Sequence, residues 1–297
     1  MNSFKNILVG IDYSDSSRTA LKHAGRIAAR EGSELVALHV VVPSEVETYS
    51  RYYTVAADSM LEAFRAQITE LVEEELGSGN GARAEAILGV PYHELIAWVE
   101  EHGCDLLVLG SQGQSAEPHG VGYFASKCVR HAKIPVLLTR RSHAGSFNRV
   151  VACVDFSQAT REVLDTAARV AADEGAELHV IHAVTPPWMR ATHVLYNLQT
   201  SEDNAYKAQF RELLDEEMEA ACKGLAVEAQ KHVIEHPNAN KALVEFLKAD
   251  DRELAVVGRS GQSAKVIRQA LLGTTAERLV HRAPCSVLVV PDESPSK

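Results

Sequence analysis

The sequence repeats itself once, and this repeat constrains the fold more than any other feature of the chain. Residues 6–12 and 149–155 are short apolar runs that each end in aspartate. Each is followed by a helical pattern and then by a second apolar phrase, at 32–40 and 175–183. Further matching phrases follow in the same order, at 105–115 and 253–263, and at 134–139 and 283–290. Ordered matches of this kind indicate duplication of a whole structural unit.

Each copy is long enough to form a domain with its own hydrophobic core. The chain has 297 residues, and a domain of about 150 residues buries roughly 70% of the surface that its unfolded chain exposes. We therefore expect two related domains, at 1–143 and 146–293, with a linker at 141–147.

Within each copy, short apolar strands alternate with amphipathic helices. The first helix has apolar residues at the helical period from Ala20 to Ala28 and should stop before Gly32. Strands are predicted near 5–11, 34–41, 83–88, 106–110 and 136–140, and again near 149–155, 177–184, 226–234, 254–258 and 286–290. Continuous apolar strands separated by helices are typical of a parallel sheet covered on both faces. The predicted fold class is therefore α/β: two tandem doubly wound domains, each a five-stranded parallel sheet with helices on both faces.

Charge and cysteine usage exclude several classes of function. The formal net charge is −10 and the pI about 5.7, which argues against binding to nucleic acid or to an anionic membrane surface. No apolar run approaches the roughly 20 residues that span a bilayer, and the N-terminus lacks a signal-peptide pattern. The five cysteines are scattered without paired spacing. This distribution favours reduced thiols and a cytoplasmic protein.

Residues that are able to bind a ligand follow the strands. In open α/β sheets, ligands bind beyond the carboxyl ends of the strands, where the strand order reverses. The first strands end in Asp12 and Asp155. The fourth strands run into a Gly-x-x-Gly sequence, at 110–113 and 258–261, and Gly273 opens the last helix of the second copy. Several polar groups of one copy are therefore expected at one edge of one sheet.

The second copy has the chemistry of a phosphate site. Glycines allow close approach of the backbone to a phosphate, and the first amides of a helix, here at Gly273-Thr274-Thr275, favour an anion. Arg259 adds positive charge, and Asp155 has a carboxylate that accepts a hydrogen bond from adenine or ribose. A small phosphate ligand is compatible with the negative net charge, because backbone amides bind it without cationic side chains.

Each of these signals also has a purely structural interpretation. An aspartate after a strand often forms an Asx turn or caps the next helix. A Gly-x-x-Gly sequence also marks a tight exit from a strand, and Thr274-Thr275-Ala276-Glu277 matches a capping box that serves only its own helix. His39 and His182, which close the second strands, are expected to be hydrogen-bonded near the cleft. His131 and His281 suit the last turns of their helices.

With these residues in view, the chain resembles the universal stress protein family in its tandem form. The resemblance covers nearly the whole chain and depends on the strand-ending aspartates, the Gly-x-x-Gly loops and the proline-containing last strands. It implies a five-stranded parallel sheet, a role in stress resistance and frequent dimerisation. Members of the family that bind ATP have a loop of the form Gly-x-x-Gly, nine residues, then Gly-Ser or Gly-Thr.

The two copies depart from that loop in different ways. In the second copy eleven residues, 262–272, separate Gly261 from Gly273-Thr274. In the first copy, alignment of the closing prolines makes Phe124-Ala125 the equivalent of Gly273-Thr274, and Pro118 interrupts the loop. The resemblance therefore implies ATP binding, with Mg²⁺ accompanying the phosphates, in the second copy, and a degenerate phosphate loop in the first. The expected nucleotide-binding residues are Asp155, Ala183, Val257, Gly258, Arg259, Gly261, Gly273, Thr274 and Thr275.

The function expected from these residues is regulation. An adenine nucleotide in the second copy would act through conformation or through binding of a partner. The sequence lacks Gly-x-Ser-x-Gly, His-Glu-x-x-His and P-loop motifs, so at most a slow ATPase is expected and no catalytic residue or metal site is assigned. The alternative is a scaffold without nucleotide, or a protein that binds an apolar ligand. The two copies are expected to pair within one chain through their last strands, and the resemblance also allows a homodimer of the whole chain.

Overall fold

The computed structural model describes residues 4–44, 46–47, 57–112, 122–140, 145–189, 201–248, 253–260 and 272–291. Contacts divide the chain into two compact units. The first unit contains residues up to Gly145 together with Ser286–Pro291, and the second is built on Ser146–Cys285. Among the described residues, no helix is both long enough and apolar enough to cross a membrane.

The first unit alternates strands and helices as the sequence predicts. Its elements are β1 (Asn6–Gly10), α1 (Asp15–Glu31), β2 (Glu34–Val41), α2 (Ala57–Leu76), β3 (Arg83–Leu88), α3 (Pro91–Glu101), β4 (Leu106–Gly110), α4 (Tyr123–His131) and β5 (Val136–Thr139). The strand order in the sheet is β3-β2-β1-β4-β5, with every pair parallel, so the order changes direction at β1. Because β1 lies between β2 and β4, the crevice expected for a ligand lies between the carboxyl ends of β1 and β4.

The second unit repeats this order of elements. They are β6 (Arg149–Cys153), α5 (Thr160–Glu174), β7 (Glu177–Val184), a 3₁₀ turn (Pro187–Met189), α6 (Ser201–Cys222), β8 (Ala229–Glu235), α7 (Ala239–Lys248), β9 (Leu254–Gly258) and α8 (Thr274–Arg282). Strands β9, β6, β7 and β8 are neighbours in that order, with parallel pairing. The corresponding crevice lies between the ends of β6 and β9.

The last strand of the chain, β10 (Ser286–Val290), is grouped with the first unit. It pairs antiparallel with β5, and Leu288 lies opposite Leu137. Both strands are buried along their length, as expected when apolar strand edges are covered by pairing.

The predicted fold class is confirmed: two tandem α/β domains have a mostly parallel sheet with helices. The reason is visible in the burial pattern, since β1 and β4 are apolar and almost fully buried, as in a sheet covered on both faces. Helix α1 ends where the sequence predicts, because Gly32 adopts the left-handed φ of +66° that closes the helix. Gly175 does the same for α5 with a φ of +65°.

Candidate functional site

Each strand-ending aspartate forms an Asx turn. The Oδ1 atom of Asp12 accepts a hydrogen bond from the amide of Ser14 at 3.0 Å, and the Oδ1 atom of Asp155 accepts one from the amide of Ser157 at 3.1 Å. In the first unit, Ser14 also caps α1, since its hydroxyl accepts from the Ser17 amide at 3.1 Å. The structural interpretation of the aspartates therefore holds in both copies.

An aromatic residue in an unusual backbone conformation lies within each of these turns. Tyr13 and Phe156 have φ angles of +62° and +54°, in the left-handed region that bulky residues seldom adopt. Their rings pack on the histidines that close the second strands, with ring centroids 5.0 Å apart for Tyr13 and His39 and 4.4 Å for Phe156 and His182. Sequence reasoning missed these aromatics, although an Asp-aromatic-Ser sequence occurs in both copies.

The two histidines are oriented by the backbone, as predicted. The Nδ1 atom of His39 lies 2.8 Å from the carbonyl oxygen of Ile11, and that of His182 lies 2.9 Å from the carbonyl oxygen of Val154. Because a carbonyl oxygen only accepts, Nδ1 must have the proton, and Nε2 is the acceptor in the neutral ring. Each histidine thus anchors the end of the first strand and supports the aromatic ring above it.

The first glycine of each Gly-x-x-Gly sequence is required by packing. A Cβ atom on Gly110 would lie 2.7 Å from both the carbonyl carbon and the hydroxyl of Ser16 at the start of α1. On Gly258 it would lie 3.1 Å from the Cβ atom of Ala159, the matching residue before α5. Both glycines therefore let the first helix of their copy, α1 or α5, approach the end of the fourth strand. The second glycines, Gly113 and Gly261, lie outside the described residues.

The structural counterpart of Gly273 is Gly122, which corrects the alignment made from the sequence. Both glycines are N-caps of nine-residue helices, with φ and ψ of −56° and 144° for Gly122 and −59° and 148° for Gly273. The amide of Gly122 donates to the carbonyl of Ser111 at 3.0 Å, and that of Gly273 donates to the carbonyl of Arg259 at 2.8 Å. Aligning Phe124-Ala125 with Gly273-Thr274 was wrong, because matching the prolines shifts the register of the helix by two residues.

The first copy therefore retains the helix-capping glycine and lacks the two threonine side chains that follow it in the second copy. Tyr123 and Phe124 occupy the positions of Thr274 and Thr275. The side chain of Tyr123 is 83% exposed, so this ring projects from the start of α4. The loop between the second glycine and the capping glycine has eight residues in the first copy and eleven in the second.

The predicted capping box at the start of α8 does not form. Gly273 is the N-cap and has no side chain with which to cap, and Thr274 is already the first residue of the helix. The first intrahelical bond runs from the amide of Glu277 to the carbonyl of Gly273 at 2.8 Å. Thr275 instead donates from its hydroxyl to the Oδ1 atom of Asn240 on α7, at 3.0 Å. The amides of residues 274–276 thus precede the intrahelical hydrogen-bonding pattern.

In the first copy, side chains bridge the crevice. The hydroxyl of Ser16 accepts a hydrogen bond from the amide of Gln112 at 3.3 Å, across the gap between the ends of β1 and β4. The hydroxyl of Ser14 lies 3.3 Å from the carbonyl oxygen of Gln112 and 2.5 Å from Oδ1 of Asp12. Ser16 and Ser17 are almost completely buried. The loop after β4 is therefore fastened to the start of α1.

The matching groups of the second copy differ. Ala159 stands where the first copy has Ser16, so it has no hydroxyl to accept a bond from the loop after β9. The hydroxyls of Ser157 and Thr160, which match Ser14 and Ser17, are buried and have no hydrogen-bond partner among the described residues. Buried polar groups without partners are rare in native proteins and call for an explanation such as a bound molecule.

The universal stress protein family model matches the chain twice, over residues 3–140 and 146–291. The chain belongs to the universal stress protein family. The two matches give a tandem, two-domain member, as the repeat in the sequence predicts.

The curated relatives are universal stress proteins with about half the length of this chain. One from Methanocaldococcus jannaschii is 23% identical over 158 residues, which covers 48% of this chain and 98% of the relative. Universal stress protein YxiE of Bacillus subtilis is 31% identical over 147 residues and covers 46% of this chain and 99% of the relative. Each of these relatives therefore corresponds in length to about one copy.

Two solved structures of similar length match the chain nearly end to end. A universal stress protein from Archaeoglobus fulgidus has a TM-score of 0.62 at 20% identity and covers 96% of this chain and 98% of its own. A Pseudomonas aeruginosa protein described as functionally unknown has a TM-score of 0.67 at 20% identity, with coverage of 98% and 94%. At this level of identity the similarity establishes the fold alone.

In this universal stress protein, the structure brings most of the predicted residues to one edge of the second unit. Asp155 follows β6, Ala183 lies near the end of β7, and Gly258 and Arg259 end β9. Val257 is buried within β9, so only its backbone is near the crevice. Gly273, Thr274 and Thr275 start α8, with Thr274 exposed and Thr275 half-buried. The described residues contain no cluster of three or more His, Cys, Asp or Glu side chains suited to a metal ion.

Proposed function

We propose that this universal stress protein binds ATP or a related adenine nucleotide in the crevice of its second copy and acts as a stress-response regulator. Binding would change the conformation of the protein or its affinity for a partner. The observation that carries the proposal is the start of α8. There, three amides precede the intrahelical bonds, no side chain of the described residues caps them, and the helix begins beside Arg259 at the point where the strand order reverses.

The chemistry of these groups fits a chain of phosphates. The amides of residues 274–276 and the dipole of α8 stabilise anionic oxygens, and the guanidinium of Arg259 has the donors that phosphate accepts. The amide of Gly273 is already bonded to Arg259, so the anion is held by the amides that follow it. The carboxylate of Asp155 accepts a hydrogen bond from the adenine or ribose in this proposal. Mg²⁺, if it accompanies the phosphates, arrives with the nucleotide and is held chiefly by it.

The protein acts by binding rather than by catalysis in this proposal. The Nδ1 proton of His182 is used on the carbonyl of Val154, and one carboxylate oxygen of Asp155 is used on the amide of Ser157. These bonds hold both groups in structural roles, so hydrolysis of ATP is slow at most. All five cysteines are free thiols, which fits a reducing compartment such as the cytoplasm.

A specific observation favours the scaffold function for the first copy. Its crevice is fastened by the bond between Ser16 and Gln112, and bulky aromatic residues, Tyr123 and Phe124, replace the two threonines at the start of the last helix. We therefore assign the nucleotide to the second copy alone. The first copy contributes a folded surface without nucleotide.

We also propose that the copies pair within one chain through their last strands. The antiparallel ladder between β5 and β10 supports this, because it buries two apolar strand edges that would otherwise be exposed. Halves obtained by splitting the chain at 141–147 should then self-associate in solution scattering. Monomeric halves would contradict this pairing, and would argue against contact through these strands both within one chain and between two chains.

The nucleotide proposal is tested on the full chain. Nucleotide released from freshly purified protein is identified by mass spectrometry, and titration calorimetry with ATP measures affinity and stoichiometry. We expect one site per chain. Two sites would show that the first copy is not degenerate, and no binding would give the scaffold function to both copies.

A further inference from the structure

The two crevices differ in how three hydroxyl positions are used. In the first copy, Ser14 caps α1 and contacts Asp12, Ser16 accepts from the loop after β4, and Ser17 donates to the carbonyl of Ser14 at 2.9 Å. All three hydroxyls therefore have partners within the same unit. In the second copy, these positions hold Ser157, Ala159 and Thr160. Within the part of the chain that the structure describes, the serine and the threonine have buried hydroxyls without a hydrogen-bond partner, and the middle hydroxyl is absent.

The equivalence of these positions is fixed at both ends of the helix. The Asx turn of Asp12 matches that of Asp155, and the left-handed C-cap Gly32 matches Gly175. The first turn nevertheless differs: α1 begins at Asp15, one residue after the aspartate turn, whereas α5 begins only at Thr160. The segment between Asp155 and Thr160 instead contains a tight turn, in which the amide of Thr160 donates to the carbonyl of Ser157 at 3.0 Å.

Two unpartnered hydroxyls so close together in sequence have a physical cost. A buried hydroxyl that has lost its water and gained no partner destabilises the folded state. Ser157 lies in the connection between β6 and α5, and Thr160 is the first residue of α5, so both follow the end of β6, which borders the crevice. Thr160 is only 8% exposed. An acceptor supplied by a bound molecule removes the cost of burying both donors.

We propose that the hydroxyls of Ser157 and Thr160 donate hydrogen bonds to oxygen atoms of the nucleotide, and that Ala159 keeps the crevice open for it. This inference rests on the proposed function and adds residues that the sequence did not single out. A hydroxyl at position 159 would accept from the loop after β9, as Ser16 accepts from Gln112, and would fasten the second crevice in the same way. The hydroxyl oxygen at the start of the first helix, present in Ser16 and absent in Ala159, thus distinguishes the closed copy from the binding copy.

The test is titration of the full chain with ATP and, separately, with adenosine. Thr160→Val and Ser157→Ala remove the donors and should each weaken ATP binding by about tenfold or more, the effect of losing a hydrogen bond to a charged acceptor. Ala159→Ser should weaken it by a similar factor. An equal loss with adenosine assigns the hydroxyls to the ribose, whereas a loss confined to ATP assigns them to the phosphates.

Matched variants in the first copy are the controls. Ser16→Ala and Ser17→Ala alter the equivalent positions and should leave ATP affinity within about twofold of the unmodified chain. The thermal midpoint of the ligand-free protein is a second readout. Thr160→Val should leave it unchanged or raise it, because an unpartnered donor is removed, whereas Ser17→Ala should lower it.

The outcomes separate this inference from the proposed function. If the unmodified chain binds ATP and all three second-copy variants bind it equally well, the hydroxyl assignment is overturned and nucleotide binding stands. If Thr160→Val lowers the ligand-free midpoint and leaves ATP affinity intact, water rather than nucleotide satisfies the hydroxyl, and the assignment is again overturned. Failure of the unmodified chain to bind ATP refutes the proposed function itself.

Discussion

The amide of Gly273 donates a hydrogen bond to the carbonyl oxygen of Arg259, across 2.8 Å. Gly122 and Ser111 form the same bond in the first copy at 3.0 Å. In both copies this bond joins the residue that follows the fourth strand to the cap of the last helix. The start of that helix is therefore held in one position against the sheet, although the connecting loops differ by three residues in length.

Our first prediction concerns nucleotide affinity. Changing Gly261 to Val should weaken ATP binding at least a hundredfold, because a β-branched side chain blocks close approach of the backbone to phosphate and removes two or three bonds worth about 1.5–3 kcal/mol each. Gly261 lies outside the described residues, so this expectation comes from the sequence. Titration calorimetry measures it, with Gly113→Val as the matched control that should leave affinity nearly unchanged. Equal damage from both substitutions would mean that the first copy also binds nucleotide.

The first glycines of the loops should differ in their contribution to stability. Gly110→Ala places a Cβ atom 2.7 Å from the backbone of Ser16, and we expect it to lower the free energy of unfolding by about 1–3 kcal/mol. The Cβ atom added by Gly258→Ala comes no closer than 3.1 Å to another atom, the Cβ atom of Ala159, and the substitution should cost less. Urea denaturation of the two variants gives the comparison. A larger loss for Gly258→Ala would show that the approach of helix to strand is tighter in the second copy.

A salt-bridged carboxylate should make the first unit sensitive to acid. Burial raises the pKa of Glu75, but hydrogen bonds from Lys22 at 2.8 Å and Arg18 at 2.7 Å outweigh it and lower the pKa below its ordinary value. A lowered pKa in the folded state contributes stability above the unfolded pKa, and this stability is lost as the pH falls through the folded pKa.

Glu75→Gln should therefore destabilise the protein by about 1 kcal/mol near neutral pH, and the difference should shrink below about pH 4. Urea midpoints at several pH values measure this. Glu74→Gln is the control: Glu74 contacts the same Arg18 at 2.9 Å, but its side chain is 61% exposed, so its loss should have little effect. A pH-independent difference for Glu75→Gln would show that packing, and not charge, explains its contribution.

One cysteine should react with thiol reagents before the others. Cys222 is half-buried, whereas the other four are buried. Burial raises the pKa of Cys104 to about 11 and that of Cys128 to about 12, so these thiols have almost no thiolate at neutral pH. A chromogenic disulfide should titrate one thiol rapidly in the native protein and five in denaturant. Cys222→Ser should remove the rapid phase, and its persistence would identify another exposed thiol.

The order of elements and their approximate bounds follow from the sequence because they depend on local patterns. The 3.6-residue period of apolar residues predicted α1. Apolar runs of strand length predicted β4 over 106–110 and β9 over 254–258, the bounds that the structure shows. Strand β8 begins at Ala229, three residues later than predicted. None of its residues is buried, so it gives a weaker start signal than a buried apolar strand.

Details of the candidate site were harder to predict because they depend on register between distant segments. The prolines near the end of each copy aligned Phe124 with Gly273, whereas hydrogen bonds to Ser111 and Arg259 show that Gly122 is the counterpart. The capping box failed for a related reason: Gly273 occupies the cap, and Thr275 bonds to Asn240 on another helix. The hydrogen-bond partners in both cases are distant in the sequence, so no local sequence pattern contains them.

The sequence by itself determined the duplication, the α/β class, the strand-ending aspartates and the glycines after the fourth strands, since each is written in short local patterns. Only the tertiary structure decided which hydroxyls have partners. Ser16 has one oxygen atom that Ala159 lacks. The role of this atom is seen only in the folded chain, where it accepts a hydrogen bond from the amide of Gln112, 96 residues away in the sequence. The structure likewise showed that the side-chain hydroxyls of Ser157 and Thr160 are buried and have no hydrogen-bond partner among the described residues, because hydrogen bonding depends on distance and angle in the folded chain, which residue identity alone does not specify.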